Sequence, residues 1–463
     1  MPTAVSDSSA VTVHDKWSGE ILGELERATE PLIEKTMAGA VDALRQPWSA
    51  LDRAAALRGA VAMLRERRAE LTTVMRRETG FTTTDVHDEF ERAMVTLQLC
   101  AEESTRLGGE VIPLGASAGF EQRVAFTLRV PIGVVLAITP FNAPLNTVCH
   151  KIGPALAAGN SVVLKPALLT PLTAQLLVDT LHAAGVPGGY LQILHGSGSE
   201  LGLRLLRDPR IAFATFTGST EVGLIVKRET GIRPVQLELG STSTTIVCED
   251  GDLDRVVVDV RRSGFRKAGQ VCTSVQNLLV QRRVADQLRE LLTVGVTSLR
   301  SGDPGEASTE VGPVITQQAA EYANELIADA VSAGAQIAVG AARERNLLAP
   351  TLMTGVNPNM RIVREEVFAP VVNLISFDAL PEAFAIANAS RYGLQAGFYT
   401  ASIANALHAA RSLEVGGVII NGTSSTRADG MPYGGVKDSG FGREGPAYAI
   451  SEMTVPRLVV LTP

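Results

Sequence analysis

Residues 131–240 alternate short apolar runs with segments that have the composition of helices. The apolar runs are IGVVLAIT, SVVLKP, YLQILHG, IAFATFTG and RPVQLELG. Continuous apolar runs of this length are typical of strands buried on both faces, and strands that alternate with helices form parallel sheets. This stretch therefore predicts an open, doubly wound α/β sheet, which binds ligands at the carboxyl ends of its strands.

The chain of 463 residues is too long for one core, so we expect two or three packed units. Residues 32–78 and 84–105 have helical spacing of apolar residues, and Gly80 is placed to end a helix. After residue 240 a second cycle alternates strands with helices near 253–267 and 284–299. This second cycle predicts another α/β unit.

Two segments belong to neither unit. Residues 119–130 (GFEQRVAFTLRV) alternate like a strand pair, and the late stretch PRLVVLTP is an apolar strand. Exposed strand edges of this kind often pair between subunits. We therefore expect a small β extension that supports a homodimer or homotetramer.

Charge and cysteine usage exclude several partner classes. The formal net charge is −7, so nucleic acid and anionic membrane are not expected as partners. No apolar run is long and unbroken enough to span a bilayer, and the opening MPTAVSDSSAVTVHDKW lacks the features of a signal or transit peptide. Four widely spaced cysteines predict free thiols, no metal site and a cytoplasmic location.

Two motifs indicate anion binding at the predicted strand ends. Gly218-Ser219-Thr220-Glu221-Val222-Gly223 follows a strand and precedes a helix, where backbone N–H groups favour a pyrophosphate. Lys165 ends the strand SVVLK and would add a cation at the same edge. An ordinary tight turn and a solvated lysine are the alternatives for these motifs taken alone.

Three further residues have side chains suited to acyl chemistry. Asn142 follows a strand in ITPFNAPLN and can donate an amide hydrogen to an oxyanion. Glu238 ends the strand in LELG, where burial would raise its pKa into the range of a general base. Cys272 in AGQVCTSVQ lies among small residues and can act as a nucleophile if its thiolate is stabilised. A turn asparagine, a solvated glutamate and a buried structural cysteine are the alternatives.

These motifs occur in the order ITPFN, KP, FTGSTEVG, LELG, AGQVC, EEVFAP and YGGVKDSGFGREG, over residues 138–445. In that order they resemble the NAD(P)-dependent, hydrolytic branch of the aldehyde dehydrogenase superfamily. The resemblance implies a Rossmann-like cofactor-binding domain, a second α/β catalytic domain and a small β oligomerisation extension. We expect the cofactor-binding domain at 1–114 and 131–237, the catalytic domain at 238–420, and oligomerisation strands at 115–130 and 446–463.

The resemblance also implies a mechanism. Cys272 would attack an aldehyde to give a thiohemiacetal, with its oxygen held by Asn142 and by the Cys272 N–H group. Hydride would pass to NAD(P), and water activated by Glu238 would hydrolyse the resulting thioester. Lys151 matches a lysine proposed to relay the proton of this base, with a helix-surface lysine as the alternative.

The resemblance assigns a set of cofactor contacts. Leu168 stands where NAD-preferring members often carry glutamate for the ribose 2′-hydroxyl, so a 2′-phosphate is not repelled, and NADP is slightly favoured over NAD. ELGST stands where ELGGK is common in the family, which changes the surroundings of Glu238 without removing it. The expected cofactor residues are Thr139, Pro140, Phe141, Lys165, Leu168, Gly198, Phe216, Gly218, Ser219, Val222, Leu239, Glu366 and Phe368.

The expected substrate is a small polar or anionic aldehyde. Residues near the nucleophile are smaller than the large aromatics of many family members, and His150 and Arg427 could contact an anionic tail. The expected substrate residues are His150, Val271, Thr273, Arg427 and Tyr433. Aromatic aldehydes, a CoA-acylating reaction, a non-catalytic scaffold and a simple nucleotide-binding module remain the alternatives.

Overall fold

The computed structural model describes residues 10–462. Residues 1–9, part of the predicted cofactor-binding domain and of the opening interpreted as free of a signal peptide, lie outside the described residues, as does residue 463. Within 10–462, no helix has the length and apolar character needed to cross a membrane.

The helices are α1 Glu30–Ala43, α2 Ala50–Glu66, α3 Arg68–Thr79, α4 Thr83–Ser104, α5 Asn146–Ala157, α6 Pro171–Ala183, α7 Leu203–Leu206, α8 Thr220–Thr230, α9 Leu253–Phe265, α10 Arg282–Thr297, α11 Gln317–Ser332, α12 Arg361–Arg364, α13 Leu380–Asn388, α14 Ile403–Ser412 and α15 Pro446–Glu452. The strands are β1 Ala10–His14, β2 Ile21–Glu26, β3 Val111–Ile112, β4 Val124–Pro131, β5 Val134–Ile138, β6 Ser161–Lys165, β7 Leu191–Ile193, β8 Ile211–Thr217, β9 Val235–Glu238, β10 Thr244–Val247, β11 Asn277–Gln281, β12 Gln336–Val339, β13 Arg343–Glu344, β14 Leu347–Leu348, β15 Thr351–Thr354, β16 Val371–Phe377, β17 Tyr392–Gly393, β18 Gln395–Tyr399, β19 Gly417–Ile420, β20 Val436–Lys437, β21 Gly440–Phe441 and β22 Thr454–Leu461.

The first α/β sheet has the strand order β21-β9-β8-β5-β6-β7. Its strands are parallel except β21, which pairs antiparallel with β9. Side chains that alternate along β5 enter different cores: Val135 and Ala137 pack with helices α2, α4, α5 and α6, whereas Val134 and Leu136 pack with α1 and α7. Because both faces of the strand are covered, the continuous apolar runs of residues 131–240 are explained, and the predicted doubly wound sheet is confirmed.

The second α/β sheet has the order β12-β15-β16-β11-β10-β18-β19. It is parallel apart from the edge strand β12. The predicted second α/β unit is therefore confirmed. The assignment of cofactor binding to one unit and catalysis to the other, with the boundaries given above, stays a prediction.

The small β extension differs in detail from the prediction. A third sheet has the order β22-β4-β3, but the proposed strand pair at 119–130 is wrong, because a turn containing Gly119 at φ 82° precedes the single strand β4. Residues 446–452 are also helical rather than extended. Pro446 begins that helix after Gly445, and proline is well suited to the first helical turn.

Candidate active site

The loop that carries Cys272 begins where α9 ends at Phe265. Lys267, Ala268 and Gly269 have φ values of 52°, 53° and 71°, a run of left-handed backbone that costs energy at residues other than glycine. At Gly269 a Cβ atom would lie 2.1 Å from the Ala369 carbonyl oxygen. This turn directs the chain into the loop that holds the half-buried Cys272.

Two carboxylates of α4 hold that turn in place. Asp85 Oδ2 accepts a hydrogen bond of 3.1 Å from the Lys267 backbone N–H, and Glu89 forms a buried ion pair with Lys267 Nζ. The second oxygen of Glu89 accepts the Leu145 and Asn146 N–H groups at the start of α5. One helix thereby ties the Cys272 loop to the turn that contains Asn142.

Asn142 lies beside the Cys272 loop. Its side-chain Nδ2 atom donates to the Gln270 carbonyl oxygen over 2.8 Å. Its backbone carbonyl oxygen accepts a hydrogen bond from Lys267 Nζ over 2.9 Å. An amide nitrogen carries two hydrogens, so one remains for a further acceptor. The position is compatible with the predicted oxyanion contact, which stays a prediction.

Cys272 Sγ lies 3.0 Å from the Tyr433 hydroxyl oxygen. Burial raises the pKa of the Cys272 thiol to about 11, the hydrogen bond from Tyr433 opposes that rise, and the charge of Glu238 adds to it. The flanking Val271 is half-buried, and Thr273 is buried. Among the predicted substrate residues, Tyr433 therefore touches the thiol directly.

Glu238 lies at the end of β9 with a side chain that is almost fully buried. Among residues 10–462, neither of its carboxylate oxygens has a hydrogen-bond partner. Burial, reinforced by the negative charge of Glu444, raises the pKa of Glu238 well above its ordinary value. A carboxylate in such surroundings takes up a proton readily, as a general base must.

A buried ion network surrounds Glu238. Lys151 Nζ donates to Thr215 Oγ1 over 3.0 Å and to Glu444 Oε1 over 3.1 Å, while Arg427 donates to Glu444 Oε2 over 2.8 Å. Although burial alone would raise it, the pKa of Glu444 falls to about 2 because of the Lys151 and Arg427 charges. Glu444 therefore stays ionised, and its negative charge contributes to the raised pKa of Glu238. Lys151 is a buried member of the network rather than a surface lysine.

The carboxyl ends of β5, β6, β8 and β9 meet at one edge of the first sheet, where the predicted cofactor residues cluster. Thr139 Oγ1 is buried and has no hydrogen-bond partner in the part of the chain that the structure describes. Lys165 is buried, donates to the Pro166 carbonyl oxygen over 3.2 Å, and forms no ion pair within residues 10–462. Burial lowers the pKa of Lys165 to about 8. An unpaired cation and an unpaired hydroxyl fit the edge for a phosphate-bearing cofactor.

The N-terminus of α8 faces the same edge. Ser219 caps this helix by accepting the Val222 N–H, and a Cβ atom at Gly218 would lie 2.5 Å from the Phe216 ring. Leu239 packs against Gly223 of the same helix. At this N-terminus Gly218 has no side chain to cover the backbone N–H groups, which suits the binding of a pyrophosphate.

The remaining predicted cofactor residues fall into two groups. Glu366 accepts the Ser241 N–H over 3.0 Å, and the Phe368 ring lies edge-on to Phe141 at 5.9 Å between centroids. Leu168 is half-buried one turn beyond β6, and open space surrounds Gly198 at the start of the single turn Gly198–Gly202. The binding of a dinucleotide by these residues stays a prediction.

Comparisons with known proteins give the family of this chain. The aldehyde dehydrogenase family model matches residues 4–459. This chain belongs to the aldehyde dehydrogenase family. The 3-sulfolactaldehyde dehydrogenase of Priestia aryabhattai is 44% identical over 449 residues, covering 97% of this chain and 94% of that protein.

Two solved structures place this aldehyde dehydrogenase among close structural relatives. Aldehyde dehydrogenase 21 from Physcomitrella patens, in complex with the reaction product succinate, superposes with a TM-score of 0.95 at 35% identity, covering 99% of this chain and 96% of that one. The NADP-dependent glyceraldehyde-3-phosphate dehydrogenase from Bacillus halodurans, complexed with NADP, superposes with a TM-score of 0.95 at 34% identity over the same shares. The protein is an NAD(P)-dependent aldehyde dehydrogenase.

The two predicted anion contacts of this aldehyde dehydrogenase are engaged within the protein. His150 is almost fully buried, with Nε2 3.0 Å from Asp429 Oδ1, and burial lowers its pKa. Arg427 pairs with Glu444 and lies 3.7 Å over the Tyr433 ring. Their contact with substrate stays a prediction.

Arg266 is the residue that sequence reasoning missed. It lines a cavity of about 970 Å³ that also reaches Arg92, Ser425 and Arg427. Its charge is close enough to interact with Cys272 and Tyr433. The only sequence signal is an arginine six positions before the nucleophile, in a segment that helical periodicity assigned to the end of a helix.

Proposed function

We propose that this aldehyde dehydrogenase oxidises a small aldehyde bearing a sulfonate, carboxylate or phosphate group to the corresponding acid, with NADP favoured over NAD. The observation that carries the proposal is the unpaired charge of Arg266 beside the nucleophile loop. Its guanidinium is half-buried and forms no ion pair within residues 10–462. One of its Nη atoms donates to Ser425 Oγ over 2.8 Å.

The surroundings of Arg266 favour an anion from outside the protein. Asp85, the nearby carboxylate whose charge acts on Arg266, is already bonded to the Lys267 N–H and to Thr82. Burial, followed by the charge of Arg92, lowers the pKa of Arg266. Since burying a cation without a partner is costly, a substrate anion at this position gains a charge-assisted hydrogen bond of the strong class.

The relatives support the same substrate class. Their names specify 3-sulfolactaldehyde, glyceraldehyde-3-phosphate and the product succinate. Each of these compounds is a short chain with an anionic group. We extend that shared chemistry, rather than any one compound, to this protein.

In the proposed reaction, the Cys272 thiolate attacks the aldehyde carbon. The free amide hydrogen of Asn142 and the Cys272 N–H stabilise the oxygen of the adduct. NAD(P), when bound, supplies the hydride acceptor that converts this adduct to a thioester. Glu238 then removes a proton from water as it attacks the thioester, the C–S bond breaks, and the acid leaves.

Cofactor preference follows from the edge beside β6. Lys165 is a buried cation with no acidic partner among the described residues, and Leu168 supplies no carboxylate to bind a 2′-hydroxyl or repel a 2′-phosphate. Both features favour NADP. Higher kcat/KM with NAD than with NADP would contradict this preference.

The direct test is a panel of aldehydes assayed with NAD and with NADP. We expect sulfonated, carboxylated or phosphorylated aldehydes to be oxidised with higher kcat/KM than neutral aldehydes of the same chain length. Preference for neutral aromatic aldehydes would overturn the substrate class. Stimulation of turnover by CoA, with an acyl-CoA product, would favour the acylating reaction instead.

We further propose a cytoplasmic homodimer or homotetramer that uses the sheet of β3, β4 and β22. Within residues 10–462, β22 pairs on one side only, with β4, and its Leu458 and Val460 side chains are exposed. An unpaired, apolar edge of this kind favours association. Sedimentation of a Val460→Lys variant should reveal smaller assemblies if this edge forms the contact.

A further inference from the structure

The Tyr433 hydroxyl is held at a defined position beside the nucleophile. The Tyr433 and Glu444 backbones exchange two hydrogen bonds, of 3.1 Å from the Tyr433 N–H and 2.7 Å from the Glu444 N–H. The Tyr433 side chain is almost fully buried. Within residues 10–462, its hydroxyl has a single hydrogen-bond partner, Cys272 Sγ at 3.0 Å.

Arg427 covers one face of the Tyr433 ring. Its guanidinium carbon lies 3.7 Å from the ring centroid, and Glu444 holds it there through the ion pair at 2.8 Å. A cation against the face of a phenol attracts the electron density of the ring. The O–H group thereby becomes a stronger hydrogen-bond donor toward the sulfur.

We propose that Tyr433 is a catalytic residue whose hydroxyl donates a hydrogen bond to the Cys272 thiolate and thereby increases the fraction of nucleophile that is ionised. The thiol proton leaves to solvent, and Tyr433 keeps its own proton throughout. Burial, with the negative charges of Cys272 and Glu238, holds the pKa of Tyr433 well above its ordinary value. Once the thiol has lost its proton, sulfur can only accept, and the hydrogen bond runs from the Tyr433 oxygen to the Cys272 sulfur.

The hydrogen bond from Tyr433 counteracts surroundings that raise the pKa of the Cys272 thiol. Burial and the charge of Glu238 oppose ionisation of Cys272, whereas the charge of Arg427 favours it. Within the described residues, no lysine, arginine or histidine is hydrogen-bonded to the Cys272 sulfur. A hydrogen bond to a charged group is worth more than one between neutral groups. Of the residues that the structure describes, Tyr433 is thus the one whose side chain lies within hydrogen-bond distance of the sulfur and favours the thiolate.

The inference rests on the proposed role of Cys272 as nucleophile, yet it is testable without aldehyde turnover. The rate of alkylation by iodoacetamide follows the thiolate fraction, so its pH dependence gives the pKa of Cys272. A Cys272→Ser variant supplies the background from the three buried cysteines. Tyr448→Phe, at an exposed tyrosine, is the matched control.

We expect Tyr433→Phe to move the alkylation midpoint upward by about one pKa unit, so that alkylation at neutral pH slows roughly tenfold. Tyr448→Phe should leave the midpoint unchanged. A midpoint for Tyr433→Phe that equals the wild-type value, or lies below it, overturns the proposal.

A second measurement covers the case in which Tyr433→Phe does not fold. Fluorotyrosine incorporated throughout the wild-type protein has a more acidic phenol and donates more strongly, so the Cys272 midpoint should fall. An unmoved midpoint overturns the proposal. If Cys272→Ala retains aldehyde turnover, the proposed function fails; if Cys272 is essential but the midpoints coincide, only this inference fails.

Discussion

Replacing Arg266 by methionine removes a charge while keeping a side chain of similar reach. The guanidinium contributes one hydrogen bond, to Ser425, and no ion pair within residues 10–462. Burial of an unpaired cation is itself costly. The substitution should therefore change the free energy of unfolding little, and we expect the thermal midpoint of Arg266→Met to remain close to that of the wild type.

The kcat/KM for an anionic aldehyde should be affected much more than the stability. A hydrogen bond to a charged partner contributes roughly 1.5–3 kcal/mol, and a half-buried charge pair at ~4 Å has an attraction of about 4 kcal/mol before desolvation is subtracted. A net value of about 2 kcal/mol corresponds to roughly thirtyfold in kcat/KM. The neutral analogue of the same aldehyde makes neither interaction and should lose less than about threefold.

The assay is NADPH formation with an anionic aldehyde and its neutral hydroxylated analogue, measured for the wild type and Arg266→Met. Arg289→Met is the control, because Arg289 lies on the surface in an exposed pair with Asp286. Equal losses for the two aldehydes would refute the reasoning, since they would indicate damage to the site rather than loss of charge recognition. Unchanged kcat/KM for both would refute it equally.

Three further outcomes are expected. Lys165→Met should raise the KM for NADP about tenfold or more and leave the KM for NAD nearly unchanged. In the wild type, the KM for NADP should rise as pH increases through about 8, where Lys165 loses its proton. Equal effects on the KM values of both cofactors would contradict the role of Lys165. Arg427→Ala should lower the free energy of unfolding by about 3 kcal/mol, because buried Glu444 loses a partner. If Arg427 contacts the substrate, the same variant should raise the KM for charged aldehydes more than the KM for neutral ones. Equal changes in the two KM values would exclude that contact. Because Glu238 acts as a base only when deprotonated and its pKa is raised, steady-state hydrolysis should fall about tenfold per pH unit below that pKa, and a flat profile would contradict the role.

The sheets were predictable because local pattern and buried environment agree in them. The apolar runs at residues 131–240 became strands covered on both faces, and Glu238 lies at the strand end where LELG suggested it. Position along a parallel sheet also explains why Lys165 and Ser219 meet at one edge. In these cases the spacing in sequence already determined which residues share an edge.

Partners brought together over long distances in sequence were not predictable. Lys267 pairs with Glu89, 178 residues away, and Lys151 bonds to Glu444, 293 residues away. Lys267 and Ala268 have left-handed backbone although neither is glycine, so the pattern of apolar residues predicted that the helix continues to residue 267. The electrostatics that raise the pKa of Glu238 and surround Arg266 depend on these contacts, which no local spacing encodes.

In the proposed reaction, Cys272 carries the acyl group until water activated by Glu238 releases it. Both roles are tested by a rapid-mixing assay of Glu238→Gln with an anionic aldehyde and NADP, followed by mass spectrometry of the peptide that contains Cys272. We predict a burst of one NADPH per active site, little further turnover, and the acyl group attached to Cys272. Sustained turnover at the wild-type rate, or a burst that leaves Cys272 unmodified, would contradict the account.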